Sequence, residues 1–152
     1  NSDLIARASL DLILGQIVRH PFSSSAFDVL GNSIGFRYAE RITLKRIRFT
    51  NQLEVFKFLC KEIWNVFFDK NADKLRTNNA GIYVIQDDDV RWLRYLSSTD
   101  EDLVQKLAQH YSWVMSGVVR GSLKALGVDA VVKGEVGILP QFVFHIDCTN
   151  ST

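Results

Sequence analysis

The pentapeptide Gly31-Asn32-Ser33-Ile34-Gly35 has the G-x-S-x-G spacing of a nucleophile elbow. In that arrangement a sharp strand-to-helix turn exposes the serine hydroxyl, and a later acid and then a histidine activate it. Asp89 with His110 or His145 would keep that order, and Phe27 to Leu30 would have to form the strand. A serine hydrolase built on Ser33 is therefore one expectation. Against it, Leu30, Ile34 and Tyr38 continue one apolar stripe at spacings of four through the pentapeptide. That periodicity makes Ser33 a helix position and its glycine neighbours points of close packing. At 152 residues the chain is also short for an α/β-hydrolase.

Other groups with chemical potential are dispersed. His20, His110 and His145 show no HxxxH or HExxH spacing and no CxxC occurs, so neither a metal site nor a cofactor is expected. Asp87-Asp88-Asp89 lacks the glycine and distal glutamate of an EF-hand loop and is expected to be a solvated hairpin turn. Cys60 and Cys148 are too few for a disulfide framework. Cys60 falls in an apolar helical pattern, where a free thiol acts as a small hydrophobe, and a reducing, cytosolic compartment is favoured. Arg41, Lys45, Arg46 and Arg48 form a basic cluster, either a solvated connector or a patch for an acidic partner or anionic lipid headgroups. Eighteen basic against 17 acidic residues leave a net charge of +1, without the positive field of a nucleic-acid binder. No apolar run approaches the ~18 residues that span a bilayer, and the N-terminus lacks a signal-peptide layout, so any membrane contact is expected to be peripheral.

The elements that would position these residues can be read from periodicity. Residues 1–152 suit a single domain with a sizeable core. A first helix is predicted from Asp3 to about Arg19, ended by His20-Pro21. Its apolar residues form two stripes, Leu4, Ile5, Ala8 and Leu12 in one and Ala6, Leu10, Ile13 and Ile17 in the other. Asp3, Arg7 and Asp11 lie between them on one side. A second helix is predicted from a cap at Ser25, with Asp28 completing a capping-box-like pair, to about Ile42. Its main stripe is Phe27, Leu30, Ile34, Tyr38 and Ile42, with Val29 and Phe36 nearly opposite.

Asn51 with Glu54 starts a third, nearly all-buried helix through Phe56, Cys60, Ile63 and Phe67. Asn71 to Asn79 is expected to be turn-like, followed by strands Ile82–Gln86 and Arg91–Leu96 joined through the three aspartates. Thr99 with Asp102 starts a long fourth helix that Gly127 stops, with Gly117 and Gly121 allowing close approach of another element. Val128–Val136 and Gln141–Cys148 form a second hairpin. The expected fold is α+β, a four-stranded, mainly antiparallel sheet of two hairpins with helices packed on one face.

The secondary stripes point to a partner surface. Leu10, Ile13, Ile17, Val29 and Phe36 would form an apolar interface patch if they stay exposed, leaving the N-terminal helices available for dimerisation. A helix buried on both sides within one domain would produce the same pattern. The aromatic third helix also admits a small hydrophobic-ligand carrier.

Several segments, in order, resemble the small-subunit family of the transport protein particle (TRAPP), a vesicle-tethering complex. Gly35-Phe36-Arg37, Leu75 to Asn78 with Gly81, Tyr83, Gln86 and Asp87, Arg120-Gly121 with Leu126-Gly127, then Val131-Val132 and Leu139-Pro140 carry the likeness, in particular to its subunit 6 branch. The resemblance implies a noncatalytic scaffold whose first two helices dimerise with the paralogous subunit 3. It further implies association with other TRAPP subunits and, through them, nucleotide exchange on a Rab GTPase in ER-to-Golgi and Golgi transport. The implied location is cytoplasmic and peripheral at Golgi and endoplasmic reticulum membranes. Subunit 3 of the family carries an acylated cysteine just before its third helix, whereas Lys45 to Thr50 holds none, so that lipid-bearing role does not transfer. Ala39 stands where the subunit 6 pattern usually has glycine.

Overall fold

The computed structural model describes residues 2–44, 48–94, 96 and 98–149, with side chains from Arg7 onward. In chain order the elements are α1 (Ser2–Ile17), α2 (Ser24–Thr43), α3 (Gln52–Phe58), a π-helical turn (Leu59–Ile63), α4 (Trp64–Phe68), β1 (Lys74–Thr77), β2 (Ile82–Asp87), α5 (Arg91–Arg94), α6 (Glu101–Ala125), β3 (Val131–Val136) and β4 (Phe142–Asp147). The strands form one antiparallel sheet in the order β1-β2-β4-β3. The α+β architecture of two hairpins is thus the one expected. The first hairpin, however, is built from different segments.

Lys74-Leu75-Arg76-Thr77, expected to be turn, is strand β1, because its alternation sets Leu75 and Thr77 on the same face as Ile85 and Tyr83. Arg91–Arg94, expected to be strand, is a single helical turn instead. Buried Trp92 and Leu93 are adjacent there, which a strand would have sent to opposite faces. The Asp87-Asp88-Asp89 segment therefore links β2 to α5 and is no hairpin turn. Nor is it fully solvated. The Asp87 carboxylate is buried, accepting from Trp64 Nε1 at 2.8 Å and pairing with Lys70 Nζ at 2.7 Å.

Caps are displaced by one or two residues from the expected positions. The α2 cap is Ser23, whose hydroxyl accepts from the Ala26 amide, and Asp28 instead pairs with Arg120 on α6. Asp100 caps α6 by accepting from the Leu103 amide at 3.2 Å. The Asn51 start of α3 is as expected, with Asn51 accepting from the Glu54 amide and Glu54 accepting from the Thr50 amide. Gly127, at φ 88°, ends the α6 segment in the left-handed region.

At the centre, α2 crosses α6 through glycines. A Cβ on Gly31 would stand 2.8 Å from the Val114 carbonyl carbon, and one on Gly121 would stand 2.9 Å from that of Asn32. The backbones meet at the distance only hydrogen side chains permit. The buried line of α2 is accordingly Phe27, Gly31, Gly35 and Ala39, not the larger stripe through Leu30, Ile34, Tyr38 and Ile42, which is only partly buried beside it.

Candidate partner interface

Helix α1 docks through its polar strip. Arg7 donates from Nε to the Val66 carbonyl and from Nη2 to that of Asn65, each at 3.1 Å, and pairs with Asp69 at 3.2 Å. One turn later Asp11 pairs with Arg91 at 2.9 Å and accepts from Trp92 Nε1 at 3.2 Å. Arg7 thereby supplies a donor to the Val66 carbonyl in the last turn of α4 and shares the Asn65 carbonyl with the Asp69 amide. Leu14 and Val18 drop into the core on the adjoining side. The strip expected to separate two apolar stripes is thus the anchor, and its docking leaves Leu12 and Ile13 facing outward.

Ile13 is 55% exposed and Leu12 71% exposed. Leu12 was expected in the opposite stripe and is an outward residue the periodicity did not single out. Leu10 and Ile17 are partly buried against the core. On α2, Val29 is 64% exposed and Phe36 half-buried. At 100° per residue Val29, Ser33, Phe36 and Glu40 share a sector about 60° wide, facing away from the glycine line. Phe22 and Leu44 are exposed near the two ends of α2. Exposed apolar side chains are therefore frequent across the α1–α2 region, and among the five expected partner residues Ile13 and Val29 are the most open.

The hydrolase geometry is not formed. Ser33 lies inside α2 rather than on a strand-to-helix turn, and is exposed on its outer side. Asp89 pairs with Arg94 at 2.7 Å. His110 Nδ1 lies 2.6 Å from the Val18 carbonyl oxygen and its ring stacks on Phe27 at 4.6 Å. His145 is on β4, 3.5 Å from Glu135. The groups that a triad would need to converge are each engaged elsewhere.

The aromatic residues of α3 and α4 pack in the interior against aromatic residues of β2, β4 and α5. Phe56 stacks on Tyr83 at 3.7 Å, Trp64 meets Phe144 edge-on at 5.8 Å, and Phe68 meets Trp92 at 4.8 Å. Both cysteines are buried and free. Burial pushes the Cys60 thiol up to about 12, and burial followed by the neighbouring Asp147 carboxylate pushes Cys148 up to about 11. Among the described residues no cluster of His, Cys, Asp or Glu could hold a metal ion, and no helix is long and apolar enough to cross a membrane. Of the basic cluster, Arg41 and Arg48 are exposed, and Lys45 and Arg46 lie outside the described residues.

Residues 10–149 match the family described as Transport protein particle (TRAPP) component. The chain is 38% identical over 122 residues to trafficking protein particle complex subunit 6b of Danio rerio, across 80% of this chain and 76% of that one. It is 37% identical over 117 residues to subunit 6B of Homo sapiens, across 77% and 73% of the two chains. Among solved structures it resembles a trafficking protein particle complex subunit 3 from Naegleria fowleri, covalently bound to palmitic acid. That likeness has a TM-score of 0.71, covers 97% of this chain and 94% of the other, and at 16% identity speaks to the fold alone.

Proposed function

This chain belongs to the TRAPP component family, and we propose that it serves as a noncatalytic scaffold subunit, pairing through α1 and α2 with a paralogous small subunit, subunit 3 of the complex. The observation that carries the pairing is the exposure of Ile13 and Val29 on two helices whose other sides are already anchored. A helix face that stays apolar after its own fold has formed lowers its free energy by covering that area, at about 25 cal/mol per Å². The similarity to subunit 6 relatives supports the same role.

Within the assembled particle the chain would contribute shape and contacts, while tethering of vesicles and nucleotide exchange on a Rab GTPase belong to the whole. Its place is then cytoplasmic, and peripheral at endoplasmic reticulum and Golgi membranes through the complex. The displaced Ser33, Asp89 and histidines favour scaffold over hydrolase.

Tagged chain isolated from cells, with the bound proteins identified by mass, tests the assignment. Recovery of other TRAPP subunits in fixed stoichiometry is expected. A chain that elutes alone, or with unrelated proteins only, would contradict it.

A further inference from the structure

We propose that the free edge of β1 is a second docking site, which takes a short extended segment of a partner protein carrying alternating acidic and apolar side chains. Among the described residues strand β1 ends the sheet, paired with β2 on one side only. The Asn78 amide donates to the Ile82 carbonyl at 3.2 Å. Stepping back by two along the register turns the amides and carbonyls of Arg76 and Lys74 toward β2 and those of Leu75 and Thr77 toward the open side. Unpaired main-chain groups of this kind are a template for another strand.

Beside that edge, between β1 and the helix carrying the π-helical turn, runs a cleft of about 340 Å³. Its apolar lining includes Leu53, Cys60, Ala72 and Leu75. An added strand would send every second side chain toward this cleft and the others to the opposite face of the sheet. The cations decide what those side chains are. Lys57 and Lys61 also line the cleft, while Lys74 and Arg76 are exposed on the other face. None of the four takes part in a salt bridge among the described residues. The acid closest in sequence to β1, Asp73, is already paired with Lys70 at 2.8 Å and accepts from the Asp88 amide at 2.7 Å. Carboxylates on the incoming strand would meet Lys74 and Arg76, and its apolar side chains would enter the cleft beneath Lys57 and Lys61.

This site rests on the chain working inside an assembly, but lies on elements other than α1 and α2. The test uses the complex as isolated from cells, with a photo-crosslinking benzoylphenylalanine placed at Lys57 in one preparation and at Ile13 in another. The Lys57 position is expected to capture a partner segment in which Asp or Glu alternates with apolar residues. With K74E and R76E together the yield should fall at least five-fold, and capture from the Ile13 position should not change. Both residues are exposed, so the double variant retains the fold, checked by its circular dichroism. Capture from Ile13 without capture from Lys57 would overturn the edge site and leave the α1–α2 pairing standing. A captured segment that is basic, a second copy of this chain, or a yield indifferent to charge reversal would also overturn it. Capture from neither position would remove both assignments.

Discussion

Gly35 on α2 lies so close to Val118 on α6 that a Cβ added to the glycine would stand 2.8 Å from the Val118 carbonyl carbon. The obstacle is backbone, which cannot swing aside as a side-chain tip can. Gly35→Ala should therefore force the two helices apart and destabilise the chain by about 2–4 kcal/mol. For a chain of this size that is a fall in Tm on the order of 5–15 °C, read by calorimetry. Ser33→Ala, two residues away and outward-facing, should change stability by less than about 0.5 kcal/mol. Equal sensitivity at the two positions would contradict the close crossing.

Asp87→Ala removes the acceptor for both Trp64 Nε1 and Lys70 Nζ. It leaves the buried indole N–H without an acceptor and Lys70 with Asp73 alone, a loss of about 1–3 kcal/mol. Urea unfolding followed by Trp fluorescence measures it. A change under about 1 kcal/mol would mean that water replaces the carboxylate easily.

Asp11→Ala should loosen α1 while the α2–α6 crossing and the sheet persist. The substitution strips Arg91 and Trp92 of their shared carboxylate, at about 1–3 kcal/mol. Amide exchange in α1 should speed up at least ten-fold, with α6 unaffected. Uniform acceleration through the chain would show that α1 is integral to the global fold and not separately latched.

Both thiols are held neutral by burial, Cys60 up to about 12 and Cys148 up to about 11, against an ordinary 9.0. Iodoacetamide at pH 8.5 should alkylate them slowly in the native chain and rapidly in urea. Above pH 9 the unfolded chain releases these protons before the folded one does. The contribution of the two thiols to stability therefore declines as pH rises from about 9 toward 11–12. Rapid native labelling would contradict their burial.

Periodicity made most of the architecture readable. The 3.6-residue stripes located α1, α2, α3 and α6, and the β-branched runs located β3 and β4. Lys74–Thr77 was missed because four residues flanked by Asn and Asp look like a turn, although the alternation of charged residues with Leu75 and Thr77 was the available signal. Arg91–Arg94 was misjudged because Trp and Leu suit either a strand or a buried helical turn, and only the tertiary position of Trp92 under α1 decides between them.

The proposed partner surface was partly readable for a related reason. A helix with apolar residues on two sides does not reveal which side its own domain takes. Arg7 and Asp11, opposite charges one turn apart on α1, were the clue to the anchored side. Without a carbonyl end and an Arg–Trp pair to receive them, they read as a solvated strip. Once they are anchored, Leu12 and Ile13 face outward and Leu14 and Val18 inward.

The most direct test of the α1–α2 surface is the affinity for subunit 3 of chain carrying Ile13→Glu and Val29→Glu together, measured by titration calorimetry against the unaltered chain. Both side chains are more than half exposed, so the isolated fold should keep its Tm within about 2 °C. Each buried carboxylate should remove at least about 2 kcal/mol from association, weakening binding by roughly 1000-fold when combined. Binding at the original strength, with the altered chain correctly folded, would contradict the surface.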